Sequence, residues 1–171
     1  MGIAERIAQL GLSLPEPAPP VANYLPYKIV NLGSVASPAD WAQNLPVVNG
    51  MLYLSGMIPL QNGAPYTTGK LGAEVSMEEA VTCAQICTLN ALGWAKVALD
   101  GNLDRVIEVV RVRGSVASTA DFYAHPQVIN GCSDMLVNIF GDDGKHTRVV
   151  SGAVALPLNV PVMIDYTFSI R

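Results

Sequence analysis

The C-terminal end of the chain constrains the fold more than any other segment. From Val160 to Ile170, every second residue is aliphatic or aromatic. A period of two places alternate side chains on opposite faces of a β-strand. The segment is therefore predicted to be a strand with one buried face, and Met163 and Asp165 are predicted to lie on the other face. A strand cannot bury its apolar face alone, so other elements must cover it.

Two helix patterns provide that cover. Ser76 and Glu79 have the spacing of a capping box, and good helix formers continue from there to a stop at Gly101. A second helix is predicted at about Pro126–Phe140, where a turn rich in glycine and aspartate at 141–144 ends it. Both helices are long enough to pack across a sheet.

Three further segments have strand character. Arg105–Ser118 is rich in valine and isoleucine, and we expect Val106, Val110 and Val112 to share one face. The other two are Thr147–Leu156 and Met51–Leu54. The order of strands and helices predicts an α+β fold, a mixed sheet with both helices packed on one face.

The 171 residues fit one domain, with a typical domain having about 100–200 residues. Residues 1–27 are predicted to form a short helix at Ile3–Leu10 and a proline-rich extended arm. Residues 28–47 are predicted to contain a strand at Lys28–Ala36 and a loop or helical turn at Ser37–Pro46. A long loop with a hairpin at Asn62–Gly63 is expected over Met57–Val75.

The composition limits the classes of partner. Charged residues make up 14% of the chain, against about 25% in an average soluble protein, so we expect apolar surface to be covered by further copies of the chain. The net charge of −4 offers no basic surface for nucleic acid or for an anionic membrane. No apolar run of about 20 residues could span a bilayer. Glu5 and Arg6 interrupt the apolar pattern at the start, so a cytoplasmic protein is expected.

The cysteines and histidines give little evidence of chemistry. Cys83 and Cys87 share a helix face, but His125 and His146 are isolated in sequence and do not have metal-ligand spacing. We therefore interpret the two cysteines as buried small hydrophobes and predict no metal. Cys132 is interpreted as a packed thiol. No phosphate-binding or dinucleotide fingerprint follows a strand, and no cofactor is predicted.

Arg148 is the basic side chain of an otherwise uncharged predicted strand. Its guanidinium either lies at a solvated strand end or sits in a cleft, where its planar fork can bind a carboxylate through two hydrogen bonds. Periodicity leaves both interpretations open. The residues alone thus indicate an oligomeric α+β domain with one unusual arginine.

Three stretches carry a family resemblance: Ala-Asn-Tyr at 22–24, NGMLYLSGMIPL at 49–60, and Thr147-Arg148 followed by VALPLNVPV at 154–162. They resemble the Rid family of the YjgF type, often labelled endoribonuclease L-PSP, in its longer branch with an N-terminal helix and proline arm. The resemblance implies a chorismate-mutase-like fold and a homotrimer with ligand clefts between subunits. It also implies hydrolysis of enamines and 2-imino acids, such as 2-aminoacrylate, to 2-keto acids and ammonia without cofactor or metal.

The resemblance also assigns roles to residues. Arg148 matches the arginine that holds the substrate carboxylate, and Gly56 matches the glycine whose backbone lies beside the ligand. The resemblance also implies an insertion at 28–47, so either Tyr24 or Tyr27 matches the pocket tyrosine. The partner implied is therefore a small metabolite that carries a carboxylate.

Three pocket positions depart from the family pattern. Met57 stands where a glutamine is usual, Val150 where a cysteine is usual, and Met163 where a glutamate positions the hydrolytic water. A thioether cannot relay a proton, and Asp165, on the same strand face, is the natural substitute. Solvation of Asp165 at the surface is the alternative.

Two functions from different classes remain after these departures. The first is an enamine or imine deaminase that uses Arg148 and Asp165. The second is a non-catalytic trimer that binds or senses a small carboxylate in the same cleft. A third, the endoribonuclease of the family label, is disfavoured by the net charge of −4.

Overall fold

The computed structural model describes residues 1–17, 19, 22–32 and 50–171. The helices are α1 (Ile3–Gln9), α2 (Met77–Ala98) and α3 (His125–Phe140). The strands are β1 (Tyr27–Asn31), β2 (Gly50–Met57), β3 (Leu60–Gln61), β4 (Ala64–Pro65), β5 (Val106–Ala117), β6 (Thr147–Ala153) and β7 (Val162–Ile170). Short 3₁₀ turns lie at 103–105, 141–144 and 157–159.

Five of the strands form one mixed sheet in the order β1-β2-β7-β5-β6. β5 and β6 are parallel, and the remaining neighbours are antiparallel. Parallel strands need a crossover connection, and α3 provides it between β5 and β6. The strand with the strongest alternation in the sequence, β7, occupies the centre of the sheet.

The two long helices cover one face of this sheet, as predicted. We call it the helix face, and its fully buried residues on β7 are Val162, Ile164, Tyr166 and Phe168. The opposite face, which we call the open face, carries Met163, Asp165 and Thr167 of the same strand, all of them only half-buried. The alternation in the sequence thus predicted both faces of β7 correctly.

Glycines bring the covering elements close together. A Cβ at Gly131 of α3 would lie 2.6 Å from the Val81 carbonyl oxygen of α2. A Cβ at Gly114 of β5 would lie 2.7 Å from Cδ1 of Ile129 in α3. α3 therefore packs tightly against both α2 and the sheet, because side chains at these two positions would hold the elements apart.

The local signals at element ends are confirmed. Ser76 caps α2 in a reciprocal capping box with Glu79, whose backbone N–H donates to Ser76 Oγ at 3.2 Å and whose Oε2 accepts from the Ser76 backbone N–H at 2.9 Å. The predicted hairpin is present as β3 and β4, with Asn62 and Gly63 at positive φ in its turn. The N-terminal helix agrees within one residue.

Two predictions fall partly or wholly outside the described residues. Of the predicted insertion at 28–47, positions 28–31 lie in β1 and the structure describes the chain only to Leu32. The predicted loop or helical turn at Ser37–Pro46 lies entirely in residues that the structure does not describe.

One strand face was predicted wrongly. Val110 does not share the buried face with Val106 and Val112; Val109 does, with 1% of its surface exposed. The ladder between β5 and β7 shifts register between Val106 and Glu108 and again between Val109 and Arg111. A bulge adds a residue to one strand and so reverses the alternation beyond it.

No helix in the described ranges is long and apolar enough to cross a membrane.

Candidate functional site

Arg148 lies on β6, at one edge of the sheet, and projects from the helix face. Its register partner on β5 is the fully buried Val112. Its Nη1 donates to Asn130 Oδ1 at 2.9 Å and to Ser133 Oγ at 3.0 Å, both on α3. The side chain is half-buried. The Arg148 guanidinium is therefore held by two side chains of α3.

The charge of Arg148 is not neutralised by the chain around it. Within the described residues the ion pairs are Arg105–Asp100 and Lys145–Asp142, so no carboxylate lies within 4.0 Å of the Arg148 guanidinium. Its two acceptors there are neutral. Val150, the next residue of β6 on this face, packs against the core and places an apolar side chain beside the cation.

A second group of candidate residues lies around Gly56 at the end of β2. Gly56, Met57 and Tyr24 line a cavity of about 400 Å³ between the proline arm, β2 and α2. Met57 is 7% exposed and belongs to the core. Trp94 of α2 forms part of the same wall.

The two candidate tyrosines have different surroundings. Tyr24 lines the cavity beside Gly56 and is 48% exposed. Tyr27 lies in β1, and its ring packs against Trp94 with ring centroids 6.0 Å apart. Tyr24 is therefore the tyrosine that shares a cavity with Gly56.

Met163 occupies the space next to Gly56. A Cβ at Gly56 would lie 2.9 Å from Met163 Sδ, so the thioether rests against the glycine backbone. Met163 is paired with Ser115 of β5 in the central ladder. The position where the family resemblance places a catalytic glutamate is thus filled by an apolar side chain in direct contact with Gly56.

Asp165 lies on the open face, two residues beyond Met163. Its cross-strand partner is Arg113. Partial burial raises the pKa of the Asp165 carboxyl, and the charges of Arg113 and Arg111 oppose that rise without cancelling it. Asp165 is therefore a half-buried carboxyl with a raised pKa.

The Arg148 group and the Gly56 group do not converge within one chain. Arg148 and Val150 project from the helix face, whereas Met163 and Asp165 project from the open face. β7 and β5 also separate β2 from β6, which makes three interstrand spacings of about 4.8 Å, or roughly 14 Å. A small ligand therefore cannot touch both groups of the same chain.

All three cysteines are fully buried, as predicted. Burial raises the pKa of the Cys83 thiol to about 12 and raises the pKa values of Cys87 and Cys132 as well. Cys132 Sγ lies 3.6 Å from the buried hydroxyl of Tyr166. In the part of the chain that the structure describes, no three His, Cys, Asp or Glu side chains are grouped as a metal site would require.

The side chains that hold Arg148 were not predicted from the sequence. His146 is isolated in the sequence, yet its Nε2 lies 3.0 Å from Ser133 Oγ, which in turn contacts Arg148. The spacing of Asn130 and Ser133, three residues apart on a predicted helix, was the available signal because such residues share a helix face. That signal does not reveal which strand the face meets.

Comparisons with known proteins agree with this architecture. The family described as YjgF/chorismate mutase-like, putative endoribonuclease, matches residues 4–170. The chain belongs to the YjgF/chorismate mutase-like family. This confirms the family and the fold that the sequence motifs predicted.

Individual relatives and similar solved structures match nearly the whole chain. Protein TCP17 of Trypanosoma cruzi is 32% identical over 165 residues, which is 95% of this chain and 91% of that protein. A crystal structure of a protein of unknown function from Agrobacterium tumefaciens has a TM-score of 0.82 and 32% identity, covering 99% of this chain and 92% of that one. A crystal structure from Shewanella oneidensis, described as a putative endoribonuclease, has a TM-score of 0.85 and 30% identity, with coverage of 99% and 100%.

Proposed function

We propose that this protein is an enamine or imine deaminase that hydrolyses 2-imino acids and related enamines to 2-keto acids and ammonia. The observation that carries the proposal is the half-buried Arg148 guanidinium, which has no carboxylate partner in the described chain. Removing a cation from water is costly unless an anion pairs with it. A ligand carboxylate would supply that partner, and the fork of Arg148 suits two parallel hydrogen bonds.

We propose further that the site forms between subunits of a homotrimer. One copy would contribute Arg148, and the next would contribute Gly56, Met163 and Asp165. The separation of the two groups on opposite faces of one sheet supports this arrangement. So does the open face, where Tyr53 and Val149 are each 46% exposed and available to be covered by another copy.

The proposed chemistry needs little from the protein besides position. Water adds to the carbon of the protonated imine, the resulting carbinolamine transfers a proton to nitrogen, and ammonia leaves as the keto acid forms. The C–O bond is made from water and the C–N bond breaks, with no change of redox state. Asp165 is the carboxyl available to move these protons, and its raised pKa brings it closer to the range useful for acid–base catalysis.

The contact of Met163 with Gly56 favours a second candidate function. Because a thioether lies against the glycine backbone, the expected position of the catalytic water is apolar. The same cleft without hydrolysis would make the protein a trimeric binding or sensing module for a small carboxylate. The endoribonuclease function of the family description finds no support in a chain of net charge −4.

The deciding experiment measures ammonia release from 2-aminoacrylate generated in situ, together with calorimetric binding of pyruvate. The deaminase releases ammonia faster than buffer, and Arg148→Ala abolishes the gain and weakens pyruvate binding by roughly 10- to 150-fold, the loss expected for a charge-assisted pair. Arg148→Lys keeps the charge but not the fork, so it should recover only part of the affinity.

The other outcomes separate the remaining functions. Pyruvate binding that depends on Arg148, without ammonia release, would identify the binding module. No binding and no turnover would refute the proposal. Light scattering tests the assembly, since a trimer has three times the 18.1 kDa mass of one chain.

A further inference from the structure

A continuous chain of hydrogen bonds runs from the turn before β6 to the Arg148 guanidinium. The His146 ring places Nδ1 at 2.7 Å from the Gly144 carbonyl oxygen and Nε2 at 3.0 Å from Ser133 Oγ. Ser133 Oγ lies 3.0 Å from Arg148 Nη1, which also contacts Asn130 Oδ1 at 2.9 Å. Two neighbouring elements of the chain, α3 and the start of β6, therefore meet at one guanidinium.

When the His146 ring is neutral, the protons in this chain have one assignment. A carbonyl oxygen only accepts, so Nδ1 of His146 carries the proton and donates it to Gly144. In the neutral ring, Nε2 then accepts, and the hydroxyl of Ser133 donates to it. A guanidinium only donates, so Ser133 Oγ accepts from Arg148. Each group in the chain is used in the role that its chemistry allows.

The contacts restrict the guanidinium on one side and leave the other side available. Both hydrogens of Nη1 are used, one by Asn130 and one by Ser133. The Nε and Nη2 hydrogens have no hydrogen-bond partner among the residues that the structure describes. These remaining donors form the edge of the guanidinium that can bind both oxygens of a carboxylate.

We propose that Ser133 and His146 are positioning residues that fix the Arg148 guanidinium with its Nε and Nη2 edge presented to the ligand carboxylate. This inference rests on the carboxylate-binding role proposed above for Arg148. The physical reason is that an unrestrained arginine loses rotamer freedom when it binds, whereas a guanidinium already held by α3 has lost that freedom on folding. His146 acts through Ser133, because its ring fixes the direction of the hydroxyl.

The chain contains a matched control for a purely structural role. Ser118 Oγ lies 2.9 Å from His125 Nε2, a second half-buried serine–histidine pair, near the other end of β6. His125 packs over the end of β6, where a Cβ at Gly152 would lie 2.8 Å from its Nε2. This pair also ties the α3 region to the sheet, but Arg148 does not belong to its hydrogen bonds.

The experiment compares pyruvate affinity in the wild type and in four variants: Ser133→Ala, Ser133→Thr, His146→Ala and Ser118→Ala. Ser133→Ala and His146→Ala should weaken binding by roughly 2- to 12-fold, the effect of ordering one flexible side chain at the moment of binding. Ser133→Thr retains the hydroxyl and should bind like the wild type. Ser118→Ala should also bind like the wild type, although it loses an equivalent hydrogen bond.

A second measurement reports on Arg148 without any ligand. The side-chain Nε–H resonance of Arg148, assigned by its loss in Arg148→Lys, gives a heteronuclear NOE that measures the mobility of the guanidinium. We expect low mobility in the wild type, Ser133→Thr and Ser118→Ala, and higher mobility in Ser133→Ala and His146→Ala.

The two readouts separate failure of this inference from failure of the proposed function. If the wild type does not bind pyruvate, the carboxylate-binding role of Arg148 is wrong, and the mobility of its Nε–H still tests whether Ser133 and His146 hold it. Unchanged mobility in Ser133→Ala overturns the inference, as does an affinity loss in Ser118→Ala equal to that in Ser133→Ala.

Discussion

Replacing Met163 by glutamate separates the two proposed functions, and the structure allows its cost to be worked out. The side chain lies on the open face against Gly56, and glutamate is similar to methionine in length, so we expect the fold to tolerate the substitution. Its charge would lie on the same strand face as Asp165, two residues away and about 6.7 Å apart. Coulomb repulsion at that distance is roughly 0.6 kcal/mol in water and about 2.5 kcal/mol at the effective dielectric of a protein surface.

Arg113, beside Asp165, offsets part of this repulsion. We therefore expect Met163→Glu to lower the free energy of unfolding by about 1 kcal/mol, measured by urea denaturation. The added charge should also raise the pKa of Asp165 further, since a like charge disfavours ionisation. If the Met163→Glu variant tolerates this loss of stability, it remains folded and its kinetics can be measured.

The kinetic test measures ammonia release from an imine generated in situ and pyruvate affinity in the same preparations. If the cleft hydrolyses imines, Met163→Glu should raise turnover by roughly 10²-fold or more, because a carboxylate can orient the attacking water and take its proton. Met163→Gln is the control, since it matches the shape without the charge. A folded Met163→Glu protein that binds pyruvate but turns over no faster than Met163→Gln would refute this account of the missing glutamate.

Three further outcomes are expected. Because the pKa of Asp165 is raised, this carboxyl binds a proton more tightly in the folded protein than in the unfolded chain. The free energy of unfolding should therefore fall as the pH rises from near the ordinary pKa of 3.8 through the raised pKa. Asp165→Asn should remove this pH dependence in urea titrations. The buried thiols should not react with 5,5′-dithiobis(2-nitrobenzoate) at pH 8 until the protein is unfolded, and prompt labelling of native protein would contradict their burial. Gly131→Ala should destabilise the protein by about 1–3 kcal/mol, because its Cβ would meet the Val81 carbonyl at 2.6 Å, and an unchanged Tm would show that α2 and α3 are not tightly packed there.

Much of the fold could be predicted because its signals are local. The capping box at Ser76, the turn at Asn62–Gly63 and the alternation in β7 each depend on residues a few positions apart, and each is present in the structure. The family motifs then predicted the fold of the whole chain. Such signals identify the elements without any knowledge of their neighbours.

The wrong prediction for Val110 shows that local sequence signals do not identify a register shift between strands. Nothing in the valine-rich sequence of β5 indicates that its ladder with β7 shifts register twice. A bulge forms because of how two strands pair, and its position depends on the partner as well as on the strand itself. The alternation of apolar residues along one strand therefore no longer identifies the buried face beyond a bulge. Here Val109 occupies the buried position instead of Val110.

The candidate site was predicted from local sequence signals and from family motifs. A single chain does not bring together all the residues that the motifs grouped. The family resemblance placed Arg148, Gly56 and position 163 in one pocket, yet the parity of β6 and β7 places Arg148 on the opposite face of the sheet from Met163. The residues that do contact Arg148, Ser133 and Asn130, belong to no motif and come from a helix. The substrate site that we propose thus requires two conditions: a guanidinium oriented by its own α3, and a second copy of the chain that brings its open face against β6.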